Sequence, residues 1–502
     1  MSDIILIYPK TGSAIKPSIA PPHALLAIAA LPDKAGYNIK IIDQRLHSNW
    51  KEVIAEELKS KPILVGITAM TGGQIHYAIE AAKVVRAKST IPIVWGGTHS
   101  TVLPEEAINS EYVDIVCIGE GDYTLKEIAD NLAAKKALDS IQGIIYTDGN
   151  RKVKTENRPL VDINELLPTP WHLINTEDYI HPDMYIRGSS RALDIGQTSR
   201  GCPFSCGFCT QGHTKYRAMP PEKAIAMIKE AVEKFRLDGI WIRDDEFYVD
   251  QKRVVQICEG LIPLNIKWYT SGTRIDLFNR TPEDQLLLYK RSGADTIKFG
   301  AESGSDRVLK FIGKRITVRD TMRANLKCRE LDILPTYNLV AGFPTETLEE
   351  TNQTVDMVVR IKRDNPKARF ETIFLYTPFP GTPLWNVAKE HGLKPPTKLE
   401  DWAKWQFEEY DDEGARLPWY SAKERKYRGN LCYLASLTNV VPSIINNFNG
   451  SAIGTFFKVA YYLPYHYFNF RFKHKMYKHI PEMKLIRWAR EKIFADSDRT
   501  IR

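Results

Sequence analysis

Short apolar runs separated by helical patterns occupy the first third of the chain. Two of these helical patterns are Gln74–Arg86 and Tyr123–Ala133. The apolar runs predict strands at Ile4–Tyr8, Ile39–Asp43, Ile63–Thr68, Ile91–Trp95 and Asp114–Ile118. Near-continuous apolar strands that alternate with helices are typical of a parallel sheet covered on both faces. The pattern therefore predicts a doubly wound, Rossmann-like α/β domain over residues 1–140.

A second alternating region follows, with six strand-then-helix units. Its strands are predicted at Leu193–Thr198, Gly239–Arg243, Ile266–Thr270, Thr296–Ala301, Leu334–Val340 and Phe370–Tyr376. Six such units predict a partial (β/α)6 TIM-like barrel, whose active site lies where the strands end. We assign the barrel to residues 191–395, a linker to residues 141–190, and a mainly helical C-terminal region to residues 396–502.

Three strands of the first domain end in loops rich in glycine and polar residues. The candidate binding residues in these loops are Thr68, Gly96, Gly97, Thr98, His99, Gly119, Glu120 and Gly121. Doubly wound sheets bind ligands beyond the carboxyl ends of their strands, and glycines let the backbone approach a large ligand. A dinucleotide fits poorly, because residues 9–13 contain no G-x-G-x-x-G motif and the chain has no Walker A sequence.

Three of the seven cysteines form a C-x3-C-x2-C motif at Cys202, Cys206 and Cys209. Thiolates in a compact loop suit a metal or an iron–sulfur centre. A 4Fe–4S cluster held by three cysteines leaves one iron open to a substrate or cofactor. Zinc would need a fourth ligand, and His213 stands in C-x3-H spacing after Cys209. The remaining cysteines are predicted core residues: Cys117, Cys258, Cys328 and Cys432.

Polar residues also follow the predicted barrel strands, on the rim where barrel enzymes bind their substrates. The candidates, including an aromatic residue within the cysteine motif, are Phe208, Asp244, Arg274, Glu302, Ser303 and Gly304. Each has a structural alternative. Arg274 and Glu302 could belong to barrel ion pairs, and Asp244 could cap the following helix. In the first domain, His99 could be a surface loop residue.

The composition is that of a globular protein and excludes disorder as the main state, since 43% of the 502 residues are hydrophobic and 26% are charged. Sparse cysteines make a disulfide framework unexpected and a reducing compartment expected. No secretory signal is visible, and the longest uncharged stretch, residues 429–457, is too rich in asparagine for a membrane span. We therefore expect a cytoplasmic location.

Positive charge is concentrated at the end of the chain. Residues 441–502 hold 11 lysines and arginines against 4 acidic residues, which supplies +7 of the net +8. Eight aromatic residues in 456–470 precede a basic stretch at 471–479. This pattern leaves open a cap on the barrel, peripheral contact with the inner face of a membrane, or a lipid-like substrate. No RNA-binding module is recognisable, so nucleic acid is not an expected partner.

The cysteine motif, with an aromatic residue before its last cysteine, resembles that of the radical S-adenosylmethionine superfamily. The segments 244–247, 301–305 and 378–383 resemble the branch with an N-terminal cobalamin-binding domain. Its cobalamin loops are similar to residues 21–25, 96–99 and 119–122. The resemblance covers residues 1–390. Methylthiotransferases that modify tRNA share this core but carry three further cysteines in the first domain, where this chain has only Cys117.

The resemblance implies three cofactors, and all the barrel candidates, Asp244 and Gly304 among them, are expected to bind a cofactor. The three motif cysteines would hold a 4Fe–4S cluster, and Phe208 would pack near the adenine of S-adenosylmethionine. Glu302 and Ser303 would contact its ribose or amino acid part, and Arg274 its carboxylate. The glycine-rich loops would bind cobalamin. Residues 43–47 do not match D-x-H-x-x-G, so no histidine there is expected to ligate the cobalt.

Three functions remain open on this resemblance. The first is methylation of an unactivated carbon of a lipid-like, cofactor or natural-product substrate, in which a 5′-deoxyadenosyl radical activates the carbon and methylcobalamin supplies the methyl group. The second is a radical cyclase or oxidoreductase similar to the anaerobic magnesium-protoporphyrin IX monomethyl ester cyclase. The third is a non-enzymatic corrinoid carrier or sensor. Either enzyme would need an external electron donor of the flavodoxin or ferredoxin type.

Overall fold

The chain forms two compact units, one comprising residues 1–180 and 395–406 and the other residues 181–394 and 407–502. The structure, a computed structural model, describes residues 2–11, 20–182, 186–212, 214–270, 272–405, 415–447, 465–478 and 480.

The first unit is built on a seven-stranded sheet ordered β2-β1-β3-β4-β5-β6-β7. Its strands are β1 (Ile4–Tyr8), β2 (Ile39–Asp43), β3 (Leu64–Thr68), β4 (Ile93–Gly96), β5 (Ile115–Cys117), β6 (Ile144–Asp148) and β7 (Arg151–Lys154). Its helices are α1 (His23–Lys34), α2 (Trp50–Glu57), α3 (Gly73–Arg86), α4 (Thr98–Val102), α5 (Pro104–Ala107) and α6 (Thr124–Ala133). The first five strands pair in parallel. β1 and β3 are buried along their length, as central strands covered on both faces require. The doubly wound domain is confirmed.

The structure differs from the sequence prediction at the far edge of this sheet. Residues 144–154, assigned to a linker, form the hairpin of β6 and β7, and β6 pairs antiparallel with β5. Ile144 and Ile145 are buried there, because the added strand covers the edge of β5 that would otherwise be unpaired. Residues 141–154 therefore belong to the first unit.

Among the described residues, the second unit has eight strands, and its six longer strands neighbour one another in chain order. Its strands are β8 (Ala192–Gly196), β9 (Ser199–Arg200), β10 (Arg217–Ala218), β11 (Gly239–Ile242), β12 (Lys267–Thr270), β13 (Thr296–Glu302), β14 (Leu334–Ala341) and β15 (Arg369–Leu375). The parallel sheets β12-β11-β8 and β13-β14-β15 are joined by a parallel bridge between Thr273 and Phe299, while β9 and β10 form a short antiparallel pair. The six longer strands thus form the predicted partial barrel.

Helices follow the barrel strands and continue into the C-terminal region. They are α7 (Pro221–Phe235), α8 (Gln251–Leu261), α9 (Ile275–Arg280), α10 (Glu283–Arg291), α11 (Asp306–Phe311), α12 (Val318–Glu330), α13 (Leu348–Asp364), α14 (Pro383–Glu390) and α15 (Ala422–Asn447), followed by a helix at 465–473. α15 packs along β15, where the Thr372 hydroxyl donates to the Cys432 carbonyl (3.0 Å). In the described part of the chain, no helix combines the length and the apolar character that crossing a bilayer requires.

The predicted C-terminal region is divided between the two units. Residues 395–405, which we call the return segment, belong to the first unit although they follow the barrel in sequence. Leu399 and Trp402 of a 3-10 helix in this segment are buried, and the helix packs against α3. Most of the aromatic run, residues 456–464, lies outside the described residues.

Candidate active site and cofactor-binding loops

The loop between β9 and β10 carries all three cysteines of the motif: Cys202, Cys206 and Cys209. Gly201 opens this loop in the left-handed region, with φ of +83°, and a Cβ there would lie 2.4 Å from the Lys215 carbonyl oxygen. The Cys202 N–H donates to Thr214 Oγ1 (2.9 Å), and the Cys209 N–H donates to the Cys206 carbonyl (3.2 Å). Only glycine fits where the chain turns, and these bonds fold the loop so that the cysteines neighbour one another.

The donor set suits an iron–sulfur cluster. All three thiols are free; Cys206 is buried, while Cys202 and Cys209 are half-buried. Burial raises the pKa of Cys202 to about 11, and the neighbouring Cys209 and Cys206 add to the shift. Bound iron would reverse this shift, because a coordinated thiol is deprotonated. Within the described ranges, no group of three His, Cys, Asp or Glu side chains could hold a single metal ion. The ligands of an iron–sulfur cluster lie further apart than those of one ion, because each binds a different iron. His213, the fourth ligand of the zinc alternative, lies outside the described residues.

Arg274 binds the cysteine loop. Its Nη1 lies 3.6 Å from Cys206 Sγ, Nε donates to Asp276 (2.9 Å), and Nη2 donates to the Lys314 carbonyl (2.8 Å). The guanidinium also lies 4.0 Å from the centre of the Phe204 ring. The sequence suggested a contact with the carboxylate of S-adenosylmethionine, but every nitrogen of this side chain already has a protein partner. The structure therefore supports a role in holding the loop.

Asp244 also supports the cysteine loop. The carboxylate is completely buried and accepts from the Thr198 N–H (2.6 Å), the Thr198 hydroxyl (2.7 Å) and the Ser199 N–H (2.9 Å). Arg253 donates to the same Thr198 hydroxyl (2.8 Å). Both carboxylate oxygens thus accept hydrogen bonds from the chain entering the cysteine loop, and a cofactor contact of Asp244 stays a prediction.

The next two acidic residues complete this support. Asp245 accepts from the Gly201 N–H (3.0 Å), and Glu246 accepts from the backbone N–H groups of Tyr248 (3.2 Å) and Arg274 (2.9 Å). Burial raises the pKa of Asp245 to about 6 and that of Glu246 to about 7. Three successive acidic residues after β11 therefore organise the loops around the cysteines.

Glu302 forms a buried ion pair with a lysine that the sequence did not single out. Lys314 Nζ donates to Glu302 Oε1 at 2.8 Å, and both side chains are more than nine-tenths buried. Burial lowers the pKa of Lys314, but the charges of Glu302 and Cys206 and the hydrogen bond to Glu302 together outweigh it, so the pKa is raised. The ion pair is the structural alternative considered for Glu302. Lys314 follows α11, where no local pattern marks it.

Ser303 and Gly304 connect the end of β13 to α13. The Gly304 N–H donates to Thr354 Oγ1 (2.9 Å), and Ser303 Oγ accepts from the Ser305 N–H (3.1 Å) while lying 3.4 Å from Thr354 Oγ1. Ser303 is completely buried. The structure thus places both in the barrel wall beside Glu302, with Ser303 buried and Gly304 half-buried.

Phe208 belongs to a row of aromatic side chains at the ends of the last two barrel strands. Ring centres are 5.8 Å apart for Phe208 and Phe343, 4.9 Å for Phe343 and Tyr376, and 6.2 Å for Tyr376 and Trp419. Trp419 donates to the Gly342 carbonyl (3.2 Å). We call these four aromatic residues the aromatic rim. Trp419 is a contribution of the C-terminal region that no motif indicated.

In the first unit, the loops after β3 and β4 are bonded to each other. The His99 N–H donates to the Ala69 carbonyl (3.1 Å), and His99 Nδ1 lies 3.0 Å from Thr71 Oγ1. Gly97 has φ of +96°, and a Cβ there would lie 2.7 Å from the Ala69 oxygen and 2.9 Å from Thr68 Oγ1. His99 is 1% exposed, and burial lowers its pKa to about 4. The imidazole is therefore neutral at pH 7 and is not a surface residue.

The loop after β5 lies beside these two loops, because β4 and β5 are neighbouring parallel strands. The Gly119 N–H donates to Thr101 Oγ1 (3.0 Å), and Glu120 accepts from the Val161 N–H (2.8 Å). The other candidates at this edge are exposed or half-exposed: Gly96, Thr98 and Gly121. All eight candidates of the first unit thus lie at or just beyond the carboxyl ends of β3, β4 and β5, where doubly wound domains bind ligands.

The chain after β2 contains an arginine where a D-x-H-x-x-G motif would place histidine. Arg45 binds both oxygens of Asp43, at 2.9 and 2.5 Å, and its guanidinium lies 4.1 Å from the centre of the Tyr8 ring. Tyr179 also donates to Asp43 (3.0 Å). Asp43 is thus held by Arg45 and Tyr179 of this chain.

The return segment contacts the His99 loop. The rings of His99 and Trp402 meet edge to face with centres 5.5 Å apart, and Trp405 lies 5.4 Å from Trp402. Trp402 is 1% exposed. It thus helps to shield the imidazole from water. The sequence did not indicate this role, because Trp402 and His99 are far apart in the chain.

The family models and related proteins agree with this geometry. The model of the radical SAM superfamily matches residues 197–358, and that of the B12 binding domain matches residues 16–129. An uncharacterised methyltransferase of Pyrococcus horikoshii is 32% identical over 405 residues, covering 78% of this chain and 84% of the relative.

Two further proteins extend the comparison. The anaerobic magnesium-protoporphyrin IX monomethyl ester cyclase of Cereibacter sphaeroides is 27% identical over 423 residues, which cover 80% of this chain and 66% of the cyclase. The methyltransferase TsrM of Kitasatospora setae, solved with cobalamin and a [4Fe-4S] cluster, superposes with a TM-score of 0.64 at 18% identity, covering 79% of this chain and 80% of TsrM. At that identity the structural likeness concerns the fold.

Proposed function

Since the chain belongs to the cobalamin-dependent radical S-adenosylmethionine methyltransferases, we propose that it methylates an unactivated carbon of a small-molecule substrate. The cofactors of this family are a 4Fe–4S cluster, S-adenosylmethionine and cobalamin. When bound they supply the electron, the carbon-centred radical and the methyl group. The observation that carries the proposal is the loop of three free, neighbouring cysteines at the carboxyl ends of the barrel strands.

The residues of this chain hold and shield the reacting groups. Cys202, Cys206 and Cys209 would ligate the cluster, and Phe208 of the aromatic rim would border the bound S-adenosylmethionine. The Glu302–Lys314 pair lies at the end of β13, where it would present polar atoms beside that ligand. In the first unit, the loops around Gly97, His99 and Gly119 would hold the corrin. Buried walls exclude water from reactive radicals, which limits side reactions.

A reconstitution experiment tests this proposal. Anaerobic protein is loaded with iron, sulfide and hydroxocobalamin, desalted, and analysed for metals. About four irons and one cobalt per chain are expected, as the cluster type and one corrin require. Cys206→Ala should lose most of the iron, whereas Cys328→Ala, which removes a buried cysteine outside the motif, should keep it. Iron without cobalt would exclude methyl transfer through cobalamin, and zinc without iron would overturn the proposal.

A second candidate function is radical cyclisation or oxidation, which the likeness to the magnesium-protoporphyrin ester cyclase favours. The two reactions leave different products. Methyl transfer consumes two molecules of S-adenosylmethionine and releases both S-adenosylhomocysteine and 5′-deoxyadenosine, and the product gains one methylene unit. Cyclisation releases 5′-deoxyadenosine without S-adenosylhomocysteine, and the product loses hydrogen or gains oxygen. Mass spectrometry with methyl-labelled S-adenosylmethionine and a reducing system separates them. If the wild-type protein consumes no S-adenosylmethionine under these conditions, only the carrier function remains.

Reduction of the cluster needs an electron from outside the chain. We propose that a donor of the flavodoxin or ferredoxin type supplies it. Anaerobic mixing of the reconstituted protein with a reduced donor, followed by electron paramagnetic resonance, should show the reduced cluster. If neither donor type reduces the cluster but dithionite does, the result would contradict this class of partner.

The C-terminal region supports peripheral contact with an anionic membrane or a lipid-like substrate. In and just after the helix at 465–473, Tyr467 is 48%, Phe470 55% and Met476 49% exposed, and Lys473 and Lys478 are exposed among them. Exposed aromatic and basic residues together suit a surface of anionic headgroups.

Vesicle binding tests the membrane part of this proposal. The protein should sediment with vesicles containing phosphatidylglycerol and not with phosphatidylcholine alone, and salt should weaken binding. Lys473→Glu with Lys478→Glu should abolish sedimentation. Lys389→Glu with Lys394→Glu, which changes charge on the barrel, should not. Equal binding of both variants would overturn membrane contact through this helix.

A further inference from the structure

A buried guanidinium faces the sulfur of one motif cysteine. Arg274 is 5% exposed, and its Nη1 lies 3.6 Å from Cys206 Sγ, within hydrogen-bonding distance of a sulfur acceptor. Cys206 is the most buried of the three motif cysteines, with 9% exposure. The contact therefore lies in a region where little water screens charge, and a charged donor acts strongly there.

The guanidinium is held in this position from several sides. Nε donates to Asp276, Nη2 donates to the Lys314 carbonyl, and the plane lies 4.0 Å from the Phe204 ring centre. The backbone N–H of Arg274 donates to Glu246 at 2.9 Å. A donor fixed by four further contacts keeps its direction when the charge on the neighbouring sulfur changes.

Of the two buried cations near the sulfur, Arg274 donates a hydrogen bond to it, whereas Lys314 interacts with Cys206 through its charge. Lys314 Nζ is paired with Glu302 at 2.8 Å. Asp276 pairs with Arg274 on its Nε side, which moderates the positive charge without occupying Nη1. Removing the negative charge of Asp276 should therefore make the electrostatic potential at the sulfur more positive. Removing the positive charge of Arg274 should make it more negative.

We propose that Arg274 sets the reduction potential of the cluster through Cys206, an inference that rests on the cluster assigned under the proposed function. Reduction adds one electron from the external flavodoxin- or ferredoxin-type donor and makes the cluster with its thiolates more negative. A charged N–H donor to a ligand sulfur stabilises that added charge, and hydrogen bonds to sulfur are among the factors that set cluster potentials. Arg274 is thus a positioning and tuning residue that eases reduction.

A redox titration monitored by electron paramagnetic resonance, without S-adenosylmethionine or substrate, tests this role. Arg274→Gln should make reduction about tenfold less favourable at equilibrium, which for one electron is about 59 mV more negative. Arg274→Lys should fall between wild type and Arg274→Gln, because lysine keeps the charge but not the planar fork. Asp276→Asn should shift the midpoint to more positive potential.

Arg428→Gln is the matched control. Arg428 is a completely buried guanidinium that stacks on Tyr420 and contacts none of the motif cysteines, so its loss should leave the midpoint unchanged. Iron is counted for every variant. If wild type holds no cluster, the proposed function fails. If clusters form and the Arg274 and Asp276 variants all keep the wild-type midpoint, the inference fails alone. If Arg274→Gln loses its cluster, Arg274→Lys and Asp276→Asn decide by their opposite shifts.

Discussion

Single residues at the two candidate sites are fixed by sterics and burial more than by surface charge. Gly201 illustrates the steric part, since a side chain there would meet the Lys215 carbonyl. His99 illustrates the part played by burial, since its ring is buried and contacts Thr71, while its backbone N–H donates to the Ala69 carbonyl. Both residues thus add to the hydrogen bonds that hold their loops in shape.

Replacing Gly201 by alanine should cost the protein its iron. The left-handed backbone costs alanine about 1–2 kcal/mol, and the Cβ at 2.4 Å from the Lys215 oxygen forces the loop to move. Iron per chain after anaerobic reconstitution measures the effect. Gly188→Ala is the control, because Gly188 has φ of +78° but open space around its Cβ position. Equal iron in both variants would show that the close approach at Gly201 does not govern cluster binding.

The burial of His99 predicts a pH dependence of stability. An unfolded chain takes up a proton on this histidine near pH 6.5, whereas the folded protein keeps it neutral down to about pH 4. Stability should therefore fall as the pH drops from about 6.5 to 4, by about 3 kcal/mol in all. Thermal unfolding across this range checks the prediction. His99→Gln should flatten the profile, and His47→Gln, at an exposed position, should not.

At the scale of elements, the return segment is the unexpected part of the first unit. Its 3-10 helix, Leu399–Lys404, packs on α3, and Trp402 closes over His99. Burial also raises the pKa of Glu106 on α5 to about 7, while Trp402 opposes the shift and Glu400 and Asp401 add to it. The loop after β4 is thus supported by a segment from far along the chain.

Trp402→Ala should weaken cobalamin binding more than an equally disruptive change elsewhere. Removing a buried tryptophan costs about 3–5 kcal/mol wherever it is, but Trp402 also contacts His99. Trp50→Ala, on α2 and 6% exposed, is the matched control. Cobalt per chain and the optical spectrum of the bound corrin measure the effect, and Trp402→Phe should restore part of it. Equal cobalt loss in Trp402→Ala and Trp50→Ala would reduce the role of Trp402 to general stability.

Sequence patterns predicted the parallel strands well and the supporting contacts poorly. Strands such as β1 and β3 are buried on both faces, so their apolar runs stand out. The cysteine triad was equally visible, because its spacing is local. Lys314 and Trp402 could not be recognised, since each acquires its role only from a partner brought near by the fold. Arg274 and Asp244 were recognised as candidates but bind the protein itself.

At the scale of the whole molecule, the candidate residues fall into two sets, and each set belongs to a unit with its own sheet. The cysteines, Arg274 and Glu302 belong to the second unit. The loops around Gly97 and His99 belong to the first. Each unit therefore has its own core to support its cofactor loops.

This division predicts that the two cofactors can be removed separately. Cys206→Ala should lose most of its iron and keep cobalamin, because its substitution leaves the first unit intact. Gly97→Val should do the reverse, since a side chain there meets Ala69 and Thr68. Metal analysis of the two variants is the measurement, with circular dichroism to confirm folding. Loss of both metals in either folded variant would show that one cofactor depends on the other.

The return segment also has a consequence for how the protein is made. Ribosomes release the chain from its N-terminus, and roughly 200 residues of barrel separate the end of the first unit's main part from Trp402. At about 5–20 residues per second, that interval lasts about 10–40 s. During it the nascent first unit has its sheet but lacks the side chain that closes over His99. The first unit is therefore complete only after synthesis has passed the barrel, and a chain that stalls before residue 395 lacks the Trp402 contact with His99.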